Sequence, residues 1–178
     1  MIRLTLCVAL LALNAAAAQN PAPPDAPTSD SFPVEYWVSQ KDGWTVKTGP
    51  CSPGLGSGEL CAWLVDFKLR PEDPPGYQPV DENNPDRSKR TDKMCGHLMM
   101  GGFHPAQDQD ATWNGGWIYD PDHGSTYSGK ITLVDRDTVK LRGFIGVSFL
   151  GKTLVLHRQN RPPQLCTDPT WKPLRAEK

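Results

Sequence analysis

From residue 35 onward the chain is a succession of short runs in which β-branched or aromatic residues alternate with polar ones and stop at Gly, Pro, Asp or Asn. A period of two sets one face of a run against a core and the other against water, which is the pattern of a half-buried strand. Glu35 to Ser39 and Trp44 to Thr48 are short examples. Leu60 to Leu69 is longer, with Cys61, Trp63, Val65 and Phe67 on one face and Leu60, Ala62, Leu64 and Asp66 on the other. Gly96 to Phe103, Thr112 to Tyr119, Thr126 to Val134, Thr138 to Gly146 and Thr153 to Arg158 bring the set to eight. Across the polar Asp135-Arg136-Asp137, the row Tyr127, Gly129, Ile131, Leu133 meets the row Val139, Leu141, Gly143, Ile145, which predicts a hairpin with one buried side.

Gly115-Gly116, Gly129 and Gly143 fall inside these runs, where a strand bends sharply or another backbone comes close. A sheet that bends repeatedly tends to close. No segment has a helical period, so the expected fold is all-β: an antiparallel barrel of about eight strands spanning 34–160. The irregular stretch Arg70 to Met94, with Pro71, Pro74, Pro75, Pro79 and Pro85, reads either as a solvated crossover or as a lid.

The two ends of the chain have a different composition. Arg3, the apolar run Leu4 to Leu13 and the small residues Ala15 to Ala18 have the order of a secretory signal peptide, expected to occupy residues 1–18. Ten or so apolar residues reach only ~15 Å as a helix against ~30 Å of hydrocarbon, so no transmembrane segment is expected after its removal. Residues 19–33, rich in Pro and Ala, read as a disordered spacer, and 161–178 as a C-terminal tail. All 18 Pro follow the signal and join 16 Gly, a density that excludes helix bundles and coiled coils. With 19 Lys+Arg against 20 Asp+Glu, the chain lacks a basic nucleic-acid footprint and any net attraction to an anionic membrane.

Past the signal stand Cys51, Cys61, Cys95 and Cys166, an even number in a chain expected in an oxidising compartment, periplasmic or secreted. Four cysteines allow three pairings. Cys51 and Cys61 flank the turn-forming run Ser52 to Gly58, so a bridge between them would clamp a hairpin and leave Cys95 to pin Cys166; this is the expected pattern. Without a Cys-x-x-Cys pair, neither a zinc site nor a redox motif is expected.

The block Trp113-Asn114-Gly115-Gly116-Trp117-Ile118-Tyr119-Asp120-Pro121-Asp122-His123-Gly124, continued by Ser125 to Ile131, resembles the central signature of a family of exported bacterial proteins, domain of unknown function 2147. Cys51 with Leu60-Cys61 resembles that family's early cysteine pattern, Asp81 with Asn84-Pro85 and Arg90 its loop motif, and Leu141-Arg142-Gly143-Phe144 its Leu-x-Arg-Gly strand. Gly151-Lys152-Thr153 with His157-Arg158 is similar to its closing strand, although the family usually has Trp where Leu156 or His157 stands. The resemblance runs from about Trp37 to Arg158. It implies a lipocalin-like barrel in the periplasm or outside the cell, and no reaction.

Strand residues four apart share a face, so Trp113 and Trp117 are expected to project together and, if inward, to line a pocket with Trp63 and Tyr127. A solid aromatic core is the alternative, since small eight-stranded barrels can be filled by their own side chains. Arg142, opposite Leu141 and Gly143, either meets solvent or enters the lumen as a charged anchor. In the lumen it would need an acidic partner such as Asp81 or Asp120. Asp81 and Asn84 are expected contacts of a mouth or lid. No nucleophile is paired with a base, and His97, His104, His123 and His157 lie on four separate segments, so no catalytic residue, metal site or cofactor is assigned. Asp120 to Gly124 has turn chemistry, and Asp108-Gln109-Asp110 lacks the Gly and Glu of a calcium loop. The expected function is binding of a small apolar or amphipathic ligand inside the barrel. A filled-barrel interaction module of the cell envelope and, behind it, a hydrolase are the alternatives.

Overall fold

Each of the eight alternating runs forms a strand: β1 (Tyr36–Ser39), β2 (Trp44–Pro50), β3 (Leu60–Phe67), β4 (Leu98–Pro105), β5 (Thr112–Asp120), β6 (Ser125–Asp135), β7 (Thr138–Phe144) and β8 (Lys152–Gln159). The computed structural model describes residues 32–51, 59–69, 71–74, 77–160 and 166. The expected signal peptide, nearly all of the spacer, the turn Ser52 to Gly58 and, Cys166 apart, the tail lie outside the described residues.

Every strand pairs antiparallel with the next, and β1 also pairs with β8 through Tyr36 with Gln159, Trp37 with Arg158 and Val38 with His157, which closes the barrel. In such a meander the β1–β2, β3–β4, β5–β6 and β7–β8 connections share one rim. The N-terminal segment and the remaining connections share the other.

Alternation carries Trp37, Val46, Leu60, Ala62, Met100, Phe103, Trp113, Ile131, Leu133, Val139, Leu141 and Leu156 into one interior cluster. The predicted β6–β7 hairpin is in register, with Ile131 opposite Leu141 and Leu133 opposite Val139. Burying each such side chain contributes roughly 1.5–3 kcal/mol before the entropy of ordering it is subtracted. Phe103 is fully buried, and its ring occupies the space above Gly116 and Gly129. A Cβ on Gly129 would stand 2.6 Å from that ring, so the two glycines make the room that Phe103 fills.

Two glycines in the left-handed region reset the phase of neighbouring strands. Between Leu60–Phe103 and Ala62–Met100 the pairing of β3 with β4 slips by one residue at Gly102 (φ 73°). Between Trp113–Ile131 and Gly116–Gly129 the pairing of β5 with β6 slips at Gly115 (φ 76°). An extra residue of this kind is a β-bulge, and side chains beyond it emerge on the opposite face. The pairing Cys51–Cys61 ties β3 to the end of β2, and Cys95–Cys166 ties the β3–β4 connection to the tail, as expected.

Candidate functional site

Polar or open features concentrate at the two rims. At the rim where β1 begins, Phe32 lies edge-on to Trp113, with ring centroids 4.9 Å apart and planes at 85°, and tilted over Trp37 at 5.7 Å. Thr48 holds this segment in place. Its Oγ1 accepts from Trp37 Nε1 at 3.2 Å and from the Glu35 amide at 3.2 Å, and donates to the Pro33 carbonyl at 2.7 Å. Beside Phe32 opens a recess of about 140 Å³ between Leu60, Phe103, Pro105 and Trp113, with Gly49, Pro50 and Val34 at its edge. Its one ionisable lining group is Glu59, whose carboxylate stands 3.1 Å from His104 Nε2. Its lining side chains are apolar apart from Glu59, but the surface it presents is as polar as it is apolar.

At the opposite rim the β3–β4 connection is fastened by a buried carboxylate. Asp81 is 1% exposed; its Oδ1 accepts from the Tyr119 hydroxyl at 2.7 Å and its Oδ2 from Asn84 Nδ2 at 2.6 Å. Asn84 in turn accepts from the Asp86 amide through Oδ1 and from Arg90 Nε through its carbonyl. Asn83 Nδ2 donates to the carbonyls of Pro121 and Asp122 in the β5–β6 turn, where Gly124 (φ 59°) has no room for a Cβ because the Asn83 carbonyl fills that space. The quoted loop motif and the central block are therefore two halves of one contact.

His97 completes this cluster, its ring 5.6 Å from that of Tyr119 and its Nε2 3.7 Å from Asp81 Oδ2. Its Nδ1 is buried and has no hydrogen-bond partner among the described residues. Burial pushes the His97 pKa below the ordinary imidazole value, outweighing the attraction of Asp81. Burial, and then the hydrogen bond to Asp81, push the Tyr119 hydroxyl well above the ordinary phenol range.

The residues expected around one pocket are not gathered in one place. Trp113 is buried in the core. Trp117 is on the other face of β5: Gly116 and Ile118 face the interior, while the Trp117 ring lies across Gly101. The shared face expected of the two indoles is lost because the bulge at Gly115 adds a residue between them. Trp63 likewise lies opposite Leu60 and Ala62, its ring 3.5 Å from the position of a Cβ on Gly49. Tyr127 stays on the interior row, beside Gly143, at the Asp81 rim.

Arg142 is on the outer face, opposite Leu141, and neither Asp81 nor Asp120 binds it. Its guanidinium donates to the carbonyls of Ser148 at 2.5 Å and Phe149 at 3.0 Å, and to Thr153 Oγ1 at 2.7 Å. Asp81 and Asn84 do meet, with Tyr119 and His97 as partners that the sequence reading missed. It also missed Phe32, Phe103 and Glu59 at the recess. Tyr119 shares the face of Trp117, two residues before it, so the bulge at Gly115 that hid the direction of that indole hid the outward direction of Tyr119 as well. Nothing in the chain marks Glu59.

A closed eight-stranded antiparallel barrel with an aromatic interior defines a lipocalin-like protein. The fold is similar to that of protein HP1028 from Helicobacter pylori, described as belonging to the lipocalin family, with a TM-score of 0.57 and 14% identity over 73% of this chain and 85% of that one. The chain belongs to the bacterial family described as "Uncharacterized protein conserved in bacteria (DUF2147)", which matches residues 36–158. No curated protein is significantly similar to it. Among the described residues, no helix is long and apolar enough to cross a membrane.

Proposed function

We propose that this protein is an exported binding barrel that holds a compact, partly apolar molecule at the Phe32 rim, with Glu59 fixing a hydrogen-bond donor or cationic end of the ligand. The recess beside Phe32 and Trp113 carries this reading: it offers aromatic and aliphatic side chains beside one carboxylate, a mixture that suits a partly apolar ligand with a polar end. The recess is open on one side, and its volume of about 140 Å³ limits the part of a ligand that it can cover to about one ring. Phe103 occupies the middle of the barrel, which restricts the ligand to the rim. The signal-like N-terminus and two disulfides support export to an oxidising compartment.

Titration of tryptophan fluorescence with single-ring amines and alcohols tests the reading. Amines are expected to change the emission, and Glu59→Gln to weaken them about tenfold, the scale of losing a charge-assisted hydrogen bond. Silence across the panel would overturn the proposal in favour of a surface-acting module, the reading favoured by the packing of Phe103 over Gly116 and Gly129.

A further inference from the structure

The β7–β8 connection, at the rim opposite the recess, turns apolar side chains outward. Ile145 is 75% exposed, Phe149 77%, Leu150 70% and Val147 49%, all within six consecutive residues. The loop is nevertheless ordered by the protein. Arg142 holds the carbonyls of Ser148 and Phe149 and the hydroxyl of Thr153, and the turn Ser148–Leu150 closes onto Gly151, which must be glycine because the Gly143 carbonyl and Phe144 Cβ stand where its Cβ would be. A tip fixed in this way loses little further freedom on docking.

The even charge of the whole chain hides a local imbalance. From Thr138 to Arg158 there are four cations, Lys140, Arg142, Lys152 and Arg158, and no Asp or Glu. Arg158 is engaged by Glu35 and Asp137 at the far end of the strands, and Lys130 of β6 donates to Gln109 of the β4–β5 connection on that same side, whereas Lys152 and Arg142 flank the tip. The acids on the neighbouring β5–β6 junction are Asp120, which is paired with His123 at 2.8 Å, and Asp122.

We infer that the Ile145–Leu150 tip inserts into an anionic lipid surface, with Lys152 and Arg142 against the headgroups. Four side chains on one convex loop are too little for a protein interface, which takes about 800 Å² from each partner, but shallow insertion of an apolar tip flanked by cations is sufficient for reversible membrane binding. Docking by this rim leaves the Phe32 recess facing water.

Flotation of the oxidised protein with phosphatidylcholine vesicles, with and without phosphatidylglycerol, tests the inference. Binding is expected only with phosphatidylglycerol present. It should fall with added salt, weaken at least about tenfold in Phe149→Ser/Leu150→Ser, and weaken less in Lys152→Glu. The exposed positions of these residues predict unchanged thermal unfolding in the variants, which separates lost docking from lost folding. Absence of binding to the anionic vesicles, equal binding to the neutral ones, or full binding by the double-serine variant would overturn it. So would a dimer in sedimentation that the double-serine variant dissolves, which would make the tip a contact between copies.

Discussion

Where β1 begins, the barrel is closed by rings: Phe32 against Trp37 and Trp113, with Thr48 tying the segment to the wall. Where β3 ends, it is bordered by a carboxylate with almost no access to water, held by a phenol and an amide from different parts of the chain. Apolar closure weakens in proportion to the area removed and can leave room for a ligand. Polar closure is far less tolerant, since deleting one partner strands the others in a dry environment. The aromatic rim is therefore the better place for a variable occupant, and the carboxylate rim the better place to fix a loop of defined shape.

The largest expected effect lies in the wall that both rims share. Phe103→Ala should cost about 3–5 kcal/mol in denaturant unfolding, because Gly116 and Gly129 cannot fill the void it leaves. A loss confined to about 1 kcal/mol would mean that the interior is not packed around this ring. Next is Tyr119→Phe, which removes one hydroxyl and should cost about 1–3 kcal/mol by leaving Asp81 short of a donor. It should also raise hydrogen exchange in the Asp81–Arg90 loop while leaving the Phe32 rim unchanged. Uniform acceleration across the barrel would contradict the division into two independently closed ends.

Phe32→Ala should be milder, about 1 kcal/mol, because the ring is only partly buried. Its signature is selective: a wider recess that admits larger ligands, read as a shift in preference within a probe series. The smallest expected effect is that of pH. The His97 pKa is lower in the fold than the ordinary 6.5 of the unfolded chain, so the unfolded state binds more protons in that range. The stability contributed by neutral His97 is complete above pH 6.5 and is lost as the pH falls through that value toward the folded pKa. Melting temperatures measured between pH 7.5 and 5.0 should decline in the wild type and decline less in His97→Gln. An identical decline in both would assign the acid sensitivity to another group.

The strands were legible because alternation is a local property: the rows on β6 and β7 can be read off the sequence and pair as written. The disulfide pattern was legible for the same reason, since a turn-forming run stands between Cys51 and Cys61. The direction in which the indoles point was not. A single left-handed glycine shifts every later side chain of β5 to the other face, and Gly115-Gly116 is compatible with either phase. The Asp81–Tyr119 contact joins residues 38 apart in the chain, and its existence depends on how a Pro-rich connection folds back over the sheet. Arg142 had two faces open to it in the sequence, and the outer one follows once Leu141 is committed to the core. Phe32, near the end of a stretch that reads as spacer, gains its role from the rings of Trp37, five residues on, and Trp113, far along the chain.

The location of the ligand seat is most directly tested by the indole N–H resonances of the oxidised protein during titration with a single-ring amine. Trp113 and Trp37, beneath Phe32, should shift together and saturate, while Trp44, at the start of β2 on the opposite rim, should stay in place. A shift of Trp44 in step with the others, or saturable binding that leaves Trp113 unmoved, would contradict a seat at the Phe32 rim.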